Sequence, residues 1–429
     1  MYFDKETECL DYDNMEDLQG KKLIETVNRC YNNVPFYKSL FDSKGLLPSD
    51  ITSIKDICKI PFTNRGDVIS NSPYGLFAVP LKDVVRIHAS SGTHGKPKIV
   101  GYTTNDLETW SNSVIRGMKA VGVSSDDIVQ ISFGYGLFTG GLGFHFGVEK
   151  MGATVVPTST GNTKIQLDVM TDLGSTVLVC TPSYAMHIGE EFINRGINPD
   201  KIKIRKIITG AEPSTEEMRK QLQSLFSAKV YDTYGLAEVT GPGVAFECEE
   251  TSGLHINEDY YFPEIIDPKT GEVLPYGKEG ELVFTTLQKQ AVPLLRYRTG
   301  DISCLYKEKC GCGRTLVKMK KPVGRTDDML IIKGVNVFPS QIETVLFENA
   351  NVSNYQVVVT RTNYMDILKV YLEVFNNDHN IEQNAKKEQQ LKVKLKEALG
   401  IKAEVRIVDN GVLDVVKGKA KRVIDNRKM

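Results

Sequence analysis

The chain has 429 residues, of which 41% are hydrophobic and 25% charged, and its formal net charge is −1. A single core stops growing at roughly 250–300 residues, so at least two domains are expected. The near-neutral charge disfavours nucleic acid and anionic membrane as partners, because proteins bind both largely through positively charged surfaces. The sequence shows neither a run of about 18 apolar residues nor a basic region followed by an apolar run, so we expect a cytoplasmic protein.

The first eighty residues predict helices and loops, after which apolar strands alternate with helices. This alternation favours a largely parallel α/β sheet. Ser214 and Glu217 fit a capping box that opens a helix ending at Phe226. The predicted strands are residues 84–87, 127–132, 153–157, 176–180 and 204–209, and the predicted helices between them are residues 105–121 and 163–173.

After Gly241 the strands become shorter, as at residues 280–284, which indicates a β-rich subdomain. A basic segment at 318–334 is typical of a linker, and a unit of ordinary domain size follows it. We therefore predict an α/β fold with a large N-terminal domain, residues 1–326, and a small α+β C-terminal domain, residues 327–429. The elements predicted in the small domain are strands at 355–360 and 370–375 and helices at 340–348 and 383–399.

Residues 90–98 read Ser-Ser-Gly-Thr-His-Gly-Lys-Pro-Lys and follow a predicted strand. Glycines and hydroxyls in this position expose backbone N–H and O–H donors to phosphate oxygens, and Lys96 and Lys98 add positive charge. The loop is not a Walker A motif, because only two residues separate Gly92 from Gly95. A lone loop of this composition is more often an ordinary surface loop, so its interpretation depends on the rest of the chain.

Five further segments accompany the loop in a fixed order: residues 231–238, 296–301, 324–328, 333–339 and 418–422. Together they resemble the adenylate-forming superfamily of acyl–coenzyme A synthetases, adenylation domains and luciferases. A second set, residues 133–143, 161–163 and 180–185, resembles the phenylacetate–coenzyme A ligase family. The resemblance covers nearly the whole chain, with one departure, since His94 stands where the family loop usually carries threonine.

The resemblance implies a reaction in two halves. A carboxylate attacks the α-phosphorus of ATP to give an acyl-adenylate and pyrophosphate, and the thiol of coenzyme A then displaces AMP. Such chemistry needs positioning and charge neutralisation. The implied nucleotide contacts are Ser90, Ser91, Gly92, Thr93 and Lys98 at the β- and γ-phosphates, Ala211, Glu212, Pro213, Asp232 and Tyr234 at the adenine, Asp301 at the ribose, and Arg325 at phosphate or ribose.

Two charged residues are implied to act in catalysis. Glu238 would bind Mg²⁺, which commonly takes one or two protein carboxylates; the alternative is a glutamate at a helix N-terminus. Lys419 would neutralise charge on the α-phosphate and the carboxylate, although basic runs such as the one around it are more often solvated faces. The implied C-terminal domain is mobile, with Asp327 at its hinge and Gly334 facing the coenzyme A arm.

An aromatic and glycine-lined set suits a planar aromatic acid, such as phenylacetate, although aromatic side chains more often pack in the core. The residues of this acid pocket are Tyr135, Gly136, Phe138, Ala211, Tyr234 and Gly235.

The cysteines are too few and too scattered for a disulfide framework in a cytoplasmic chain. Three thiolates and one imidazole can complete a closed, tetrahedral Zn²⁺ site, the alternative being buried or incidental thiols. The candidate zinc ligands are Cys248, His255, Cys310 and Cys312. The remaining cysteines are expected to be buried apolar residues: Cys9, Cys30, Cys58, Cys180 and Cys304.

The main prediction is thus an ATP- and Mg²⁺-dependent ligase that joins an aryl acid to coenzyme A. One alternative is a nucleotidyltransferase that adenylates a small molecule without transfer to coenzyme A. Another is a non-catalytic nucleotide-binding protein, against which the presence of Lys419 and Glu238 argues. The sequence leaves the acid and the oligomeric state open and allows a homodimer.

Overall fold

The computed structural model describes residues 1–90, 98–212, 214–326, 330–332, 335–362, 365–375, 381–413 and 422–427. The helices in these ranges are α1 (Lys5–Glu8), α2 (Tyr12–Asn33), α3 (Pro35–Asp42), α4 (Arg65–Ser70), α5 (Thr104–Ala120), α6 (Thr139–Lys150), α7 (Thr163–Asp172), α8 (Pro182–Asn194), α9 (Glu216–Phe226), α10 (Pro339–Asn349) and α11 (Ile381–Leu399). The strands are β1 (Arg86–Ser90), β2 (Lys98–Tyr102), β3 (Ile128–Ile131), β4 (Thr154–Val156), β5 (Val177–Cys180), β6 (Lys206–Thr209), β7 (Lys229–Leu236), β8 (Gly241–Phe246), β9 (Leu254–Ile256), β10 (Tyr261–Ile266), β11 (Glu279–Thr286), β12 (Tyr297–Tyr306), β13 (Lys318–Met319), β14 (Gly324–Arg325), β15 (Leu330–Ile332), β16 (Val335–Val337), β17 (Val352–Thr362), β18 (Met365–Val374), β19 (Ala403–Ile407) and β20 (Val423–Asp425).

A large mixed sheet forms the centre of the molecule, in the order β10-β11-β12-β13-β9-β8-β7-β6-β5-β3-β4, with β14 paired to β12. The strands from β4 to β7 are parallel to one another. The pairing becomes antiparallel between β7 and β8, and it stays antiparallel through β9 and β13 to β10. The predicted parallel sheet and the predicted β-rich part are therefore two halves of one sheet, joined at β7.

Helix α5 follows β2 directly and covers the parallel half of the sheet. Its start is a capping box, in which Thr103 Oγ1 accepts from the backbone N–H of Asp106 at 3.1 Å and Asp106 Oδ2 accepts from that of Thr103 at 2.9 Å. Trp110, Val114 and Met118 recur every four residues and pack in the core against the strands. Truncation of a buried tryptophan to alanine typically costs about 3–5 kcal/mol, so this face is a major anchor for β2.

Strands β1 and β2 form an antiparallel hairpin in which Ser90 lies opposite Lys98. The residues between them, 91–97, lie outside the described part of the chain. The predicted phosphate loop therefore connects the two strands of this hairpin. The strand predicted at 84–87 is displaced, since β1 begins at Arg86.

The C-terminal sheet has the order β19-β18-β17-β20, and α10 and α11 contribute to its core. β17 and β18 are an antiparallel hairpin, while β19 and β20 add to its two edges in parallel. The core of this unit is continuous with buried residues of α8 and α9. These observations confirm the α/β class with a separate α+β C-terminal unit, whereas the predicted division at 326/327 adjoins undescribed residues and stays a prediction.

Three local predictions were wrong. Thr215 caps α9, because its Oγ1 accepts from the N–H of Met218, while the hydroxyl of Ser214 donates to Asp232. The segment predicted to be a linker contains β13, β14 and β15. Cys58 is exposed and Cys9 only half-buried, whereas the burial expected for Cys30, Cys180 and Cys304 is confirmed.

Across the described ranges, no helix has the length and apolar character that crossing a membrane requires.

Candidate active site

The carboxyl ends of the neighbouring parallel strands β3, β5, β6 and β7 meet at one edge of the sheet. Ligands of open α/β sheets bind at this edge. Tyr135 follows β3, Ala211 and Glu212 follow β6, and Tyr234 lies near the end of β7. The backbone N–H of Ser183, just after β5, donates to Glu212 Oε2 at 3.4 Å, which ties two of these strand ends together.

Lys98 and Glu238 form a buried ion pair between Lys98 Nζ and Glu238 Oε1. Lys98 is the first residue of β2, and Glu238 lies in the turn between β7 and β8. The alternative that Glu238 opens a helix is therefore wrong. A cation and a carboxylate at the end of the hairpin that flanks residues 91–97 suit phosphate and Mg²⁺ respectively, because Mg²⁺ usually combines one or two carboxylates with substrate phosphates.

A second polar group consists of Tyr234, Asp301 and Arg325. The phenol of Tyr234 donates to Asp301 Oδ2 at 2.5 Å, and Arg325 NH1 donates to Asp301 Oδ1 at 2.6 Å. The pairing of β12 with β14 sets Asp301 opposite Arg325. Burial and the Asp301 charge raise the pKa of Tyr234 well above its ordinary value, so the phenol keeps its proton. An ionised carboxylate offers about four lone-pair sites, so a group of this kind can accept from hydroxyl groups as well as from nitrogen donors.

Asp232 lies in a buried charge network. Its carboxylate accepts from Thr209 and Ser214 and pairs with Arg219 at 3.0 Å and with Lys321. Although burial alone would raise the pKa of Asp232, the charges of Lys321 and Arg219 lower it below its ordinary value. The predicted adenine contact of Asp232 stays a prediction, and these partners give the residue a structural role at the ends of β6 and β7.

The aromatic residues predicted for the acid pocket differ in exposure. Phe138 is 40% exposed, whereas Tyr135 is half-buried and its hydroxyl lies 3.2 Å from Nδ1 of His145 on α6. Burial raises the pKa of Tyr135 above its ordinary value, so this hydroxyl is neutral. His145 was not predicted from the sequence, because its position depends on how α6 packs behind the 133–138 segment.

Three backbone positions near the strand ends have special geometry. Ala211 has φ +67°, in the left-handed region that non-glycine residues seldom adopt. A Cβ at Gly235 would collide with the carbonyl oxygen of Gly241 on β8, so the close approach of β7 and β8 requires glycine there. Gly136 has φ +105°, a further position at which glycine is favoured.

Several predicted site residues lie outside the described residues, so their roles remain predictions; the side chain of Ser90 is also undescribed. These residues are Ser91, Gly92, Thr93, Pro213, Asp327, Gly334 and Lys419.

The predicted zinc ligands come together. Cys248 follows β8, His255 lies on β9, and Cys310 and Cys312 lie in the connection from β12 to β13. Their ligand atoms all lie within 4.8 Å of one another. The Cys248 and Cys310 sulfurs are 3.7 Å apart, and Cys312 Sγ is 3.6 Å from His255 Nε2.

These separations fit a tetrahedral zinc ion. Bonds of about 2.3 Å to sulfur and about 2.0–2.1 Å to nitrogen place ligands about 3.8 Å apart for two sulfurs and about 3.6 Å apart for sulfur and nitrogen. The cluster supplies four ligands and so leaves no open position, as in structural sites. The cluster lies on the antiparallel half of the large sheet, next to β9 and β13, whereas Lys98 belongs to the separate β1-β2 hairpin.

The N-terminal residues pack against this cluster. Tyr2 donates its hydroxyl to the carbonyl of Cys312 at 2.5 Å, and Arg314 donates to the carbonyl of Met1 at 2.7 Å. Arg314 also pairs with Glu8 at 2.7 Å, and both side chains are buried. The packing of the Cys/His cluster and the packing of α1 therefore depend on each other.

Family comparisons agree with this architecture. Residues 50–288 match the family described as AMP-binding enzyme, and residues 334–427 match the AMP-binding enzyme C-terminal domain. The first match alone spans more than half of the chain. The fold and the site therefore define an AMP-binding enzyme.

The relatives narrow the class further. The chain is 45% identical over 422 residues to a phenylacetate–coenzyme A ligase of Aromatoleum evansii, with 97% of this chain and 95% of that protein covered. The chain belongs to the phenylacetate–coenzyme A ligase family, and it is an AMP-forming acyl–coenzyme A ligase.

Solved structures give the arrangement of the whole chain. A 2-hydroxyisobutyryl–coenzyme A ligase in its postadenylation state, in complex with 2-HIB-AMP, superposes with a TM-score of 0.92 at 24% identity, over 98% of this chain and 91% of that one. The thioesterification state of that ligase gives 0.72 at 25% identity, over 99% and 92%. The chain thus superposes more closely on the first of these two structures than on the second.

Proposed function

We propose that the protein activates phenylacetate or a related aryl acid as an acyl-adenylate and transfers the acyl group to coenzyme A, with release of AMP and pyrophosphate. The observation that carries this proposal is the near-full-length similarity to phenylacetate–coenzyme A ligases. The ion pair of Lys98 and Glu238 and the group of Tyr234, Asp301 and Arg325 support it, because together they offer charges and acceptors suited to a nucleotide.

In this proposal Lys98 binds the leaving pyrophosphate, together with the hairpin loop from Ser90 to Thr93. Glu238 binds Mg²⁺, which neutralises phosphate charge when bound. The buried setting supports both roles, since electrostatic interactions are stronger where water is excluded. The two side chains neutralise each other in the ion pair, so neither buried charge is left uncompensated.

Asp301 accepts hydrogen bonds from the ribose hydroxyls in the proposed complex, and Arg325 and Tyr234 hold its carboxylate in place. Ala211, Glu212 and Pro213 lie along the adenine. Their position after β6, at the ligand-binding edge of the sheet, supports this placement.

The acid is proposed to lie among Tyr135, Gly136, Phe138, Tyr234 and Gly235. The exposed face of Phe138 supports this, because an apolar side chain at the sheet edge can cover an aromatic ring. The hydroxyl of Tyr135, near His145, offers a polar group at the rim of such a pocket.

Lys419 is proposed to neutralise charge on the reacting carboxylate and α-phosphate during adenylation. Rotation of the C-terminal unit about Asp327 would then withdraw Lys419 and bring Gly334 towards coenzyme A. Crystal structures of the 2-hydroxyisobutyryl–coenzyme A ligase in postadenylation and thioesterification states support two such arrangements for this fold.

We further propose a structural zinc ion held by Cys248, His255, Cys310 and Cys312. The mutual distances of the four ligand atoms support it. This ion would stabilise the antiparallel half of the sheet and would take no part in the reaction.

The decisive experiment is a screen of pyrophosphate release with ATP, Mg²⁺ and a panel of aryl and aliphatic acids, with and without coenzyme A. We expect release that depends on the acid and is fastest with arylacetic acids, together with AMP and acyl–coenzyme A formation that depends on coenzyme A. Preference for aliphatic acids would contradict the proposed substrate. Stable adenylation of the acid without any transfer to coenzyme A would instead indicate a nucleotidyltransferase.

A further inference from the structure

Lys289 is a buried lysine whose side chain ends beneath the turn that carries Glu238. Its Nζ donates to the carbonyl oxygen of Val239 at 2.9 Å and to that of Glu238 at 3.4 Å. The ammonium group also lies 4.5 Å from the ring centroid of Tyr102, a cation–π contact. Burial disfavours the charged form of a lysine and lowers the pKa of Lys289 to about 7. A lysine that is 6% exposed and bonded to two carbonyl groups therefore calls for a functional reason.

The loop that carries Lys289 is itself fixed to the start of α5. Asp106 Oδ1 accepts from the backbone N–H of Gln290 at 2.6 Å, and Asp106 Oδ2 accepts from that of Ala291 at 2.9 Å. The same carboxylate accepts from the N–H of Thr103, the residue that follows β2. Lys289 therefore has a defined place relative to β2.

The turn from Glu238 to Thr240 is held against β2 at both ends of the strand. The carboxylate of Glu238 pairs with Lys98 at the start of β2, and the carbonyl of Thr240 accepts from the hydroxyl of Tyr102 at 2.9 Å at its end. Lys289 bonds to the carbonyls between these two points. If either carbonyl rotated away, the buried Lys289 side chain would lose a hydrogen-bond partner that water cannot replace. The two hydrogen bonds therefore fix the direction in which the Glu238 side chain leaves the backbone.

We propose that Lys289, assisted by the hydroxyl of Tyr102, is a positioning residue for Glu238, holding the turn so that the carboxylate faces Lys98. The inference rests on the proposed function, in which Glu238 binds the divalent cation. It concerns a residue that acts through Glu238 and contacts neither acid nor nucleotide. Orientation matters at such a position, because a displacement of 1 Å can reduce a rate by about a hundredfold.

The test compares Lys289→Met with Lys22→Met. Methionine retains most of the length of the lysine side chain and removes the Nζ group that donates the hydrogen bonds. Lys22 is a matched control, since its Nζ also donates to a backbone carbonyl, that of Asp259 at 2.7 Å, and lies 5.2 Å from the ring centroid of Tyr260. The measurement is the Kd of Mn²⁺, in place of Mg²⁺, for the enzyme bound to a non-hydrolysable ATP analogue, from the electron paramagnetic resonance signal of free Mn²⁺.

For Lys289→Met we expect the Mn²⁺ Kd to rise about tenfold, the equivalent of one or two buried hydrogen bonds. The affinity for the analogue in EDTA should stay within about twofold of wild type, because a positioning residue for the cation ligand has no nucleotide contact to lose. Lys22→Met should change neither quantity. An Mn²⁺ Kd for Lys289→Met equal to that of Lys22→Met overturns the inference.

Two further variants complete the design. Tyr102→Phe removes only the hydroxyl, and an Mn²⁺ Kd raised about threefold is expected; if Lys289→Met does not fold, an unchanged Kd in Tyr102→Phe overturns the inference. Glu238→Gln separates this inference from the proposed function. If Glu238→Gln leaves the Mn²⁺ Kd unchanged, the assignment of Glu238 as the cation ligand fails. If Glu238→Gln raises the Kd and Lys289→Met does not, only the positioning role of Lys289 is refuted.

Discussion

Lys98 and Glu238, 140 positions apart in the chain, form an ion pair in which each side chain is 8% exposed. Lys98 begins the strand after the predicted phosphate loop, and Glu238 lies in the turn that ends the parallel half of the sheet. Breaking such a pair from one side typically costs about 3–5 kcal/mol, because the remaining charge loses its buried partner. Nucleotide and Mg²⁺ can replace this pairing only by giving each side chain a new partner.

Glu238→Gln should therefore impair the first half-reaction. We expect acid-dependent exchange of pyrophosphate into ATP to slow about a hundredfold, since one preorganised charged group commonly contributes that much to transition-state stabilisation. Asp259→Asn is the control, because Asp259, in the connection from β9 to β10, forms a comparably buried pair with Arg116 at 2.6 Å. An equal loss of exchange in both variants would point to instability and not to catalysis.

The Asp301 group should act on nucleotide affinity. In Asp301→Asn the carboxylate that accepts from Tyr234 and Arg325 becomes an amide with one acceptor oxygen, and we expect the KM for ATP to rise about 10- to 100-fold. Tyr234→Phe, which removes one hydrogen bond to this carboxylate, should raise it about threefold to tenfold. Steady-state kinetics at saturating acid measure both; a change confined to the KM for the acid contradicts the ribose assignment.

How much of this site the sequence predicts depends on whether the residues in contact belong to local motifs or are brought together only by the fold. Lys98 and Glu238 belong to local motifs, so their neighbourhood could be inferred from those motifs and the resemblance. Lys289 and Lys321 lie outside any motif, and the basic stretch that contains Lys321 is typical of a linker. Their partners, the 238–239 carbonyls and Asp232, are brought near only by the register of the mixed sheet, which sequence periodicity does not specify.

The proposed zinc ligands are an example of residues that local sequence signals help to find. Cys310 and Cys312 flank one glycine, a local signal, and the order β8-β9-β13 brings Cys248 and His255 to them. Fold class and alternation of strands and helices were likewise predictable. The capping residue of α9 was not predictable. The hydroxyl of Ser214 bonds to Asp232 on β7, so Thr215 is the residue that caps the helix.

Lys419→Ala should separate the two half-reactions. Loss of this charge should largely abolish acyl-adenylate formation, by about a hundredfold or more, because negative charge on the reacting oxygens is then not neutralised. Formation of the thioester from supplied acyl-adenylate and coenzyme A should change much less. The two rates are measured separately by pyrophosphate exchange and by thioester absorbance, and normal adenylation by the variant would refute the role given to Lys419.

Zinc content and stability should change together. We expect about one zinc per chain by elemental analysis of protein purified without chelator, and a Tm lowered by about 10 °C after its removal, since metal binding to a closed site contributes directly to folding. Cys312→Ser should lose the metal. Cys304→Ser is the matched control, because Cys304 is 2% exposed but lies outside the cluster, and it should retain zinc. Absence of zinc from the wild-type protein would refute the assignment of these four residues as zinc ligands.

Glu343 on α10 should make stability depend on pH. Burial raises the pKa of this carboxyl to about 7 from an ordinary value of 4.5, the charge of Arg422 opposing and that of Glu212 adding to the effect, and Tyr355 hydrogen-bonds to it. A raised pKa in the folded state means that the folded protein binds the proton more tightly than the unfolded chain. The associated stability is therefore complete below about pH 4.5 and is lost as the pH rises through about 7.

Glu343→Gln tests this dependence, because glutamine is neutral throughout and approximates the protonated acid in shape. Relative to wild type, the variant should gain stability as the pH is raised from 5 to 8, by at most about 3 kcal/mol, the equivalent of the pKa shift. Denaturant unfolding at pH 5, 6, 7 and 8 measures the difference. Burial raises the pKa of Glu258, next to the antiparallel half of the sheet, to about 7 as well. Glu258→Gln should therefore show the same dependence of stability on pH. Because Glu343 interacts with Glu212, which follows β6 at the proposed nucleotide site, Glu343→Gln should also hold the C-terminal unit more firmly against the large sheet above pH 7. Curves for wild type and Glu343→Gln that stay parallel across this range would show that Glu343 is ionised in the folded protein throughout.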